Sequence, residues 1–333
     1  MCRAPFRVSF FGGGSDYPAW LEHEPGAVLS TTIDKYIYIS CRYLPPFLGT
    51  KHRVVWRHVE QVDSIAEILH PAVREGLRYL GFDDRLGIEV HYQGDLPSRT
   101  GMGSSSTFMV ALLQALTTLR GLEADRQKLA EMAIEIEQVR LNETVGSQDQ
   151  VAAAFGGLNV IIFRQNGRFD VNPILLSTKR ESELVANLML FFPGRTRIAS
   201  NIAISVAQNL RERSNSVRRM VEMVGEGLEI LRNGDLDNFG GLLHEAWELK
   251  RGLSESVSSD EIDELYHRAR QAGATGGKLL GAGGTGFLLL YVPIERQEGV
   301  RAALTPQCVH VPFALDHEGA RVVYQAADIR GKP

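Results

Sequence analysis

Leu96-Pro97-Ser98-Arg99-Thr100-Gly101-Met102-Gly103-Ser104-Ser105-Ser106 is the stretch with the clearest chemistry, because it falls between a strand-like run and a helix-like run. Gly101 and Gly103 have no β-carbon, so the backbone there can turn tightly and turn its N–H groups outward. A helix opening at Ser104 would add unpaired amide donors and a partial positive charge. Together these make a place for a phosphate group. The three serines bring hydroxyls that can cap the helix, bond phosphate oxygens or reach a magnesium ion. The same residues would also serve as a plain turn with a helix cap, so the loop needs support from elsewhere in the chain.

Two better-known phosphate motifs are excluded. The Gly277-Lys278 pair is followed by Leu279, not Ser or Thr, and Ala272 stands where a Walker A loop needs its first glycine. No protein-kinase catalytic-loop motif occurs. Gly281-Ala282-Gly283-Gly284-Thr285-Gly286 spells the dinucleotide fingerprint G-x-G-x-x-G but precedes a strand-like run instead of opening a helix after one. Its use is then to let the backbone approach another loop closely, with Lys278 beside it as either a surface lysine or a binding charge.

The elements that must position these groups follow from periodicity. Arg7 to Phe11 and Ile33 to Ile39 read as strands, the second alternating apolar and polar residues and rich in β-branched and aromatic side chains. A third alternation puts Leu86, Ile88, Val90 and Tyr92 on one face, with Gly87, Glu89 and His91 on the other, and ends at Gly94. From Ser104 the period becomes helical, with Phe108, Leu112, Leu116 and Leu119 on one stripe. A further helix is predicted from about Arg126 to Leu141, its stripe being Leu129, Met132, Ala133, Ile136 and Val139. Beyond Leu184 the pattern is largely helical, broken at Phe192-Pro193-Gly194, and returns to strand at Phe287 to Val292. No fixed-period repeat or low-complexity tract is found. Both halves read as α+β, with a division at residues 180/181.

Composition bounds the rest. At 333 residues the chain is long for one core and short for three. With 36 Lys+Arg against 40 Asp+Glu, no positive field exists to hold a nucleic-acid backbone or an anionic membrane, so an anionic ligand must be held locally. Cys2, Cys41 and Cys308 are few, odd in number and far apart, which speaks against a disulfide framework or zinc cluster. Met1 to Phe11 carries Arg3 and Arg7 and lacks the apolar core of a signal peptide, and no stretch approaches the roughly 20 apolar residues of a membrane span. A cytoplasmic protein is expected, in which the glycosylation acceptor Asn142-Glu143-Thr144 has no role.

Three segments in order resemble the GHMP kinases, named for galacto-, homoserine, mevalonate and phosphomevalonate kinases. Ala4 to Tyr17, APFRVSFFGGGSDY, is similar to the family's N-terminal substrate motif; Pro97 to Ser106 to its nucleotide-phosphate loop; and Gly276 to Gly286, GGKLLGAGGTG, to its C-terminal glycine motif. The resemblance spans nearly the whole chain. It implies a two-domain fold, an N-terminal mixed-sheet domain (1–180) carrying the phosphate loop and a C-terminal ferredoxin-like α+β domain (181–333). Within the family, FFGGGSDY, RTGMGSSSTF (99–108) and Trp247 to Arg251 look most like the D-glycero-D-manno-heptose 7-phosphate kinases. Galactokinase-like members carry an acidic residue and a histidine where this chain has Gly13 and Gly14.

The resemblance implies ATP as phosphoryl donor, held by Pro97, Arg99, Thr100, Gly101, Met102, Gly103, Ser104, Ser105 and Ser106. Asp149 matches the family's catalytic aspartate, placed to take the proton of the accepting hydroxyl, and Arg7 matches the basic residue that supports it. Mg2+ is implied, with Ser105 and Glu137 as ligands, since a carboxylate about a dozen residues before the aspartate is a family feature. Glu135 competes with Glu137: both sit roughly 90 to 110° from the stripe centre at 100° per residue, so amphipathicity does not choose. Asp16, Gly13, Gly14, Arg197, Lys250 and Gly283 are the expected substrate contacts, with Arg195, Arg197, Lys250 and Arg251 as candidate partners for a remote phosphate. The implied reaction phosphorylates the anomeric C1 hydroxyl of a heptose 7-phosphate, supplying activated (GDP-linked) heptose. A kinase for another sugar such as fucose, or an inactive metabolite-binding relative, would keep the same loops.

Overall fold

The computed structural model describes residues 1–98, 100–194, 200–284 and 286–326. Thirteen strands appear among these residues. In chain order they are β1 (Cys2–Phe11), β2 (Gly26–Leu44), β3 (His52–Val55), β4 (Val59–Val62), β5 (Gly87–Gly94), β6 (Leu158–Phe163), β7 (Phe169–Pro173), β8 (Leu188–Phe192), β9 (Gly276–Leu279), β10 (Leu288–Tyr291), β11 (Val309–His310), β12 (Leu315–Asp316) and β13 (Arg321–Val322). The three strands expected in the first half correspond to β1, β2 and β5.

Nine strands form one mixed sheet along the path β13-β1-β2-β5-β3-β4, with β12, β6 and β7 attached through β2. The β3–β5 pair is parallel, whereas β1–β2 and β2–β5 are antiparallel. β1 is buried along almost its whole length, as a strand covered on both faces must be. Its pairing with β2 shifts register between Pro5 and Arg7 and between Ser9 and Phe11, beside the residues expected to do chemistry. The helix Ser104–Leu119 packs against β1 and β2 and is apolar nearly all round, with Phe108, Leu112 and Leu116 buried.

The second sheet is antiparallel in the order β11-β8-β10-β9. The helices Ser214–Arg232, Asp237–Arg251 and Asp260–Gln271 supply the helical character seen in the sequence. β8 was not expected. Its run Leu-Met-Leu-Phe-Phe is continuously apolar, and periodicity cannot separate a buried strand from a short helical piece. The division at 180/181 falls in the helix Thr178–Ala186, between the two sheets. β12 and β13 lie beyond it in sequence and pair with β2 and β1 of the first sheet. Asp316 fastens this return: its carboxylate accepts from the backbone amides of Glu318 and Gly319 and from Tyr36 Oη. Among the described residues no helix is long and apolar enough to cross a membrane.

Two expectations from periodicity are corrected. Glu89, assigned to the polar face of β5, is 3 % exposed, and its charge is met by Arg42, Arg53 and His91. The helix expected as one piece from Arg126 to Leu141 is α-helical over Arg126–Ile134 and π-helical over Glu135–Arg140. The wider turn, closed by Leu141 N–H donating to Ile136 O, rotates the following side chains off the α-helical wheel. Val139 therefore leaves the apolar stripe for solvent, 72 % exposed, while Glu137 is turned inward to 1 % exposure.

Candidate active site

Arg7 is the centre of the site. Strand alternation puts Arg7, Ser9 and Phe11 on one face of β1, and all three line a cavity of about 570 Å³. Arg7 is 4 % exposed. Its Nε donates to Asp149 Oδ1 at 2.6 Å and its Nη2 to Asp149 Oδ2 at 3.0 Å, a two-pronged grip on the carboxylate. Its Nη1 donates to Gly101 O at 2.7 Å, so one guanidinium ties the aspartate to the phosphate loop. Asp149 sits in the first turn of the helix Gln148–Phe155.

The loop ends where the sequence places its helix start. Gly103 takes φ 74°, ψ 24°, and Ser104 begins the helix. Gly101 (φ 75°) faces the C-terminal glycine motif: a Cβ on it would stand 2.3 Å from Leu280 O, and one on Gly281 would stand 2.2 Å from Gly101 Cα. Two glycine loops about 180 residues apart in the chain therefore touch backbone to backbone, which no side chain would permit. Thr100 O accepts from Phe287 N–H at 3.1 Å and Thr100 Oγ1 donates to Pro97 O at 2.8 Å, while Met102, wholly buried, underpins the turn. Gly101, Gly103, Ser104, Ser105 and Ser106 face the cavity. Arg99 lies outside the described residues.

Glu137 stands behind the serines. Its Oε2 accepts from Ser106 Oγ at 2.8 Å and from Gln150 Nε2, whereas its Oε1 is buried with no partner among the described residues. Burial pushes its carboxyl up to about 8, with the nearby Glu143 and Asp149 charges adding to the rise. A buried carboxylate oxygen without a donor, next to serine hydroxyls, fits a hard divalent cation, which takes oxygen ligands and would favour the charged form. Glu135 instead reaches Tyr79 Oη at 2.9 Å on the exposed side of the turn. Ser105 lies on the cavity wall, exposed, and it is Ser106 that meets Glu137.

Gly13, Gly14 and Asp16 come together with Gln148 in the lining of the same cavity. Asp16 is fully buried and accepts from Gly14 N–H (3.1 Å), Gln148 N–H (3.0 Å) and Gln148 Nε2 (2.9 Å). Burial, with Asp149 nearby, holds its carboxyl above the usual carboxylate range. Lys250 reaches the cavity, but its ammonium donates to Leu279 O at 2.8 Å and to Gly281 O, clasping the C-terminal glycine loop. Arg251 is paired with Asp263 and Glu248. Gly283 packs on the backbone of Val257, 2.6 Å from where its Cβ would lie. Arg195 and Arg197 lie outside the described residues.

Two residues of the cavity wall, Ser9 and Gln148, were not anticipated as contacts, and Lys278 was left open between a surface and a binding role. Ser9 was legible as the residue two along β1 from Arg7, and Gln148 as the neighbour of Asp149. Lys278, 6 % exposed, donates to Phe10 O at 2.8 Å. Burial, with Arg7 close by, pushes its ammonium down to about 7, and burial beside Lys278 and Arg7 lowers that of Lys250 as well.

Known proteins resemble this chain in sequence and fold. A GHMP kinase N-terminal domain matches residues 66–157 and a GHMP kinase C-terminal domain residues 228–304, together just over half of the chain. A D-glycero-alpha-D-manno-heptose 7-phosphate kinase of Campylobacter jejuni is 29 % identical over 96 % of this chain and 97 % of its own. A bifunctional fucokinase/GDP-fucose pyrophosphorylase of Arabidopsis thaliana is 28 % identical over 90 % of this chain but only 30 % of its own. A crystal structure of a D-glycero-D-manno-heptose 1-phosphate kinase from Bacteriodes thetaiotaomicron superposes with a TM-score of 0.80 at 24 % identity, covering 97 % of this chain and 99 % of that one. With both domains of the family found in order along the chain, and Asp149 inside the first of them, the chain belongs to the GHMP kinases and is an ATP-dependent phosphotransferase.

Proposed function

We propose that this kinase phosphorylates the anomeric C1 hydroxyl of D-glycero-D-manno-heptose 7-phosphate, giving the 1,7-bisphosphate and ADP. The observation that carries the reading is the Arg7–Asp149 pair, placed in one cavity between the phosphate loop and the Gly13–Asp16 wall. The nearly full-length likeness to a heptose 7-phosphate kinase supplies the acceptor.

In this reading the amides of residues 101–103 and the first turn from Ser104 hold the ATP phosphates, Arg99 adds charge to them, and Pro97 and Thr100 keep the loop in place. Asp149 takes the proton of the acceptor hydroxyl as that oxygen bonds to the γ-phosphorus. The bond from that phosphorus to the bridging oxygen breaks and ADP leaves. Arg7 fixes the orientation of Asp149 and stabilises the charge that gathers on the transferred group. Ser105 and Glu137 would hold Mg2+, which neutralises phosphate charge when bound, and Ser106 braces Glu137. Asp16 orders the Gly14–Gln148 wall and keeps acceptor capacity for a sugar hydroxyl. Gly13 and Gly14 leave room for the sugar. Gly283 seats the loop whose members Gly281 and Ala282 face the cavity. Lys250, with a third N–H beyond its two carbonyls, and Arg197 are the cations for the remote phosphate. A cytoplasmic setting in the supply of GDP-linked heptose belongs to the same reading, and three unpaired cysteines accord with it.

The test is ATP consumption by the purified full-length chain against a panel containing heptose 7-phosphate, free heptose, fucose, galactose and mevalonate, with 31P NMR of the product. The reading predicts highest kcat/KM for heptose 7-phosphate and a new anomeric phosphate signal. Faster turnover of fucose would favour the sugar suggested by the Arabidopsis relative, and no ATP consumption with any member of the panel would leave only a metabolite-binding role.

A further inference from the structure

Ser9 and Gln148 each carry a polar atom that the fold leaves without a partner. Ser9 Oγ and Gln148 Oε1 are buried and make no hydrogen bond among the described residues, although Ser9 is 6 % and Gln148 8 % exposed. Both residues line the catalytic cavity. Such atoms are costly to leave unpaired, about 1–3 kcal/mol each. The amide orientation of Gln148 is set from behind: its Nε2 donates to Asp16 Oδ1 at 2.9 Å and its backbone N–H to Asp16 Oδ2 at 3.0 Å. Oε1 is therefore the end turned away from Asp16, available only as an acceptor. Ser9 Oγ can donate or accept.

Gly13 connects the two. A Cβ placed on it would lie 3.7 Å from Ser9 Oγ and 3.7 Å from Gln148 Nε2, at ordinary contact distance from both and from nothing else. The backbone of Gly13 is not in the left-handed region, so conformation does not demand a glycine there. The missing side chain leaves a gap bordered by the serine and the amide. A hydroxyl entering that gap could accept from Ser9 Oγ and, reaching past Nε2 to the far end of the same amide, donate to Gln148 Oε1, satisfying both orphan atoms at once.

We propose that Ser9 and Gln148, across the gap left by Gly13, form a specificity subsite that takes one non-reacting hydroxyl of a polyhydroxylated acceptor. This rests on the reading of the cavity as a sugar site but not on which sugar fills it. The subsite selects by the unpaired-polar penalty: an acceptor lacking that hydroxyl leaves two buried groups unsatisfied, which is the strongest discrimination available to a neutral pocket.

The experiment compares wild type, Ser9→Ala and Gly13→Ala with the best acceptor in the panel above and with its series of mono-deoxy analogues. Ser9→Ala is expected to lower kcat/KM for that acceptor at least about tenfold and Gly13→Ala to raise its KM at least about tenfold, with KM for ATP within about twofold of wild type. One deoxy analogue should be as poor a substrate for wild type as the parent acceptor is for Ser9→Ala, and Ser9→Ala should lose nothing further on that analogue. Thermal unfolding of Gly13→Ala should match wild type and that of Ser9→Ala should match or exceed it, since neither change strains the backbone and the second removes an unpaired buried hydroxyl. Unchanged acceptor kinetics in both variants, or losses that simply multiply for every deoxy analogue, would overturn the subsite. If heptose 7-phosphate is a poor acceptor while another sugar shows the non-additive loss, the substrate assignment falls and the subsite stands.

Discussion

Arg7 holds Asp149 by both carboxylate oxygens while its remaining nitrogen holds Gly101 O, so one guanidinium joins the carboxylate to the glycine loop. Replacing Asp149 by Asn keeps a hydrogen-bonding partner for the guanidinium and removes the proton acceptor. Turnover should fall on the order of 100-fold or more. Binding of a non-hydrolysable ATP analogue, read by calorimetry, should stay close to wild type. Arg7→Lys keeps the charge but loses the fork, and should also cost kcat. Wild-type turnover in Asp149→Asn would remove that residue from the chemistry.

Contact between Gly101 and Gly281 makes a second prediction. Both have φ near +75°, and a methyl on either would run into the other loop. The left-handed backbone alone costs an alanine roughly 1–2 kcal/mol. Gly101→Ala and Gly281→Ala should therefore push the loops apart and raise KM for ATP by about tenfold or more, an effect of about 1.4 kcal/mol. Steady-state kinetics at saturating acceptor measures this, and an unchanged KM for ATP in both variants would show that the approach does not matter for the nucleotide.

Glu137 keeps one buried carboxylate oxygen without a donor. Glu137→Gln retains size and hydrogen bonds but loses the negative charge that a divalent cation needs. The magnesium concentration for half-maximal activity should rise about tenfold. In parallel, MgADP should raise the melting temperature of the variant less than that of wild type. Glu135→Gln, on the outer side of the same turn, should leave both readouts where they are.

Burial, with the Arg7 charge close by, pushes the Lys278 ammonium down to about 7 from the 10.5 of an exposed lysine. Between those values the unfolded chain binds a proton that the folded chain does not, so this group makes stability increase with pH across that window. Its contribution falls as pH drops through 7 and levels off below. Urea unfolding of wild type from pH 7 to 10 should show the rising component, at most about 1.4 kcal/mol per pH unit for one proton. Lys278→Met should remove one proton's worth of that slope, leaving whatever Lys250 contributes. An identical slope in the variant would mean that Lys278 stays charged in the folded state.

Much of the site was readable because it is local. A strand, a glycine turn and a helix start follow from neighbouring residues, and the helix begins at Ser104 where the change of period puts it. Alternation along β1 places Arg7 and Ser9 on one face, and the fingerprint at Gly281 to Gly286 was rightly read as a loop that lets another backbone approach. The choices that sequence left open depended on contacts between distant segments. Glu137 is inside and Glu135 outside because a π turn adds a residue to the helix, a deviation that the α-helical wheel cannot represent. Lys250 gives its ammonium to carbonyls of a loop about thirty residues on, and Gln148 is oriented by a carboxylate more than a hundred residues away. Backbone preference is carried by near neighbours, so the sequence states it directly. Which polar atom is satisfied and which is left facing the cavity is decided only when segments far apart in the chain are packed together.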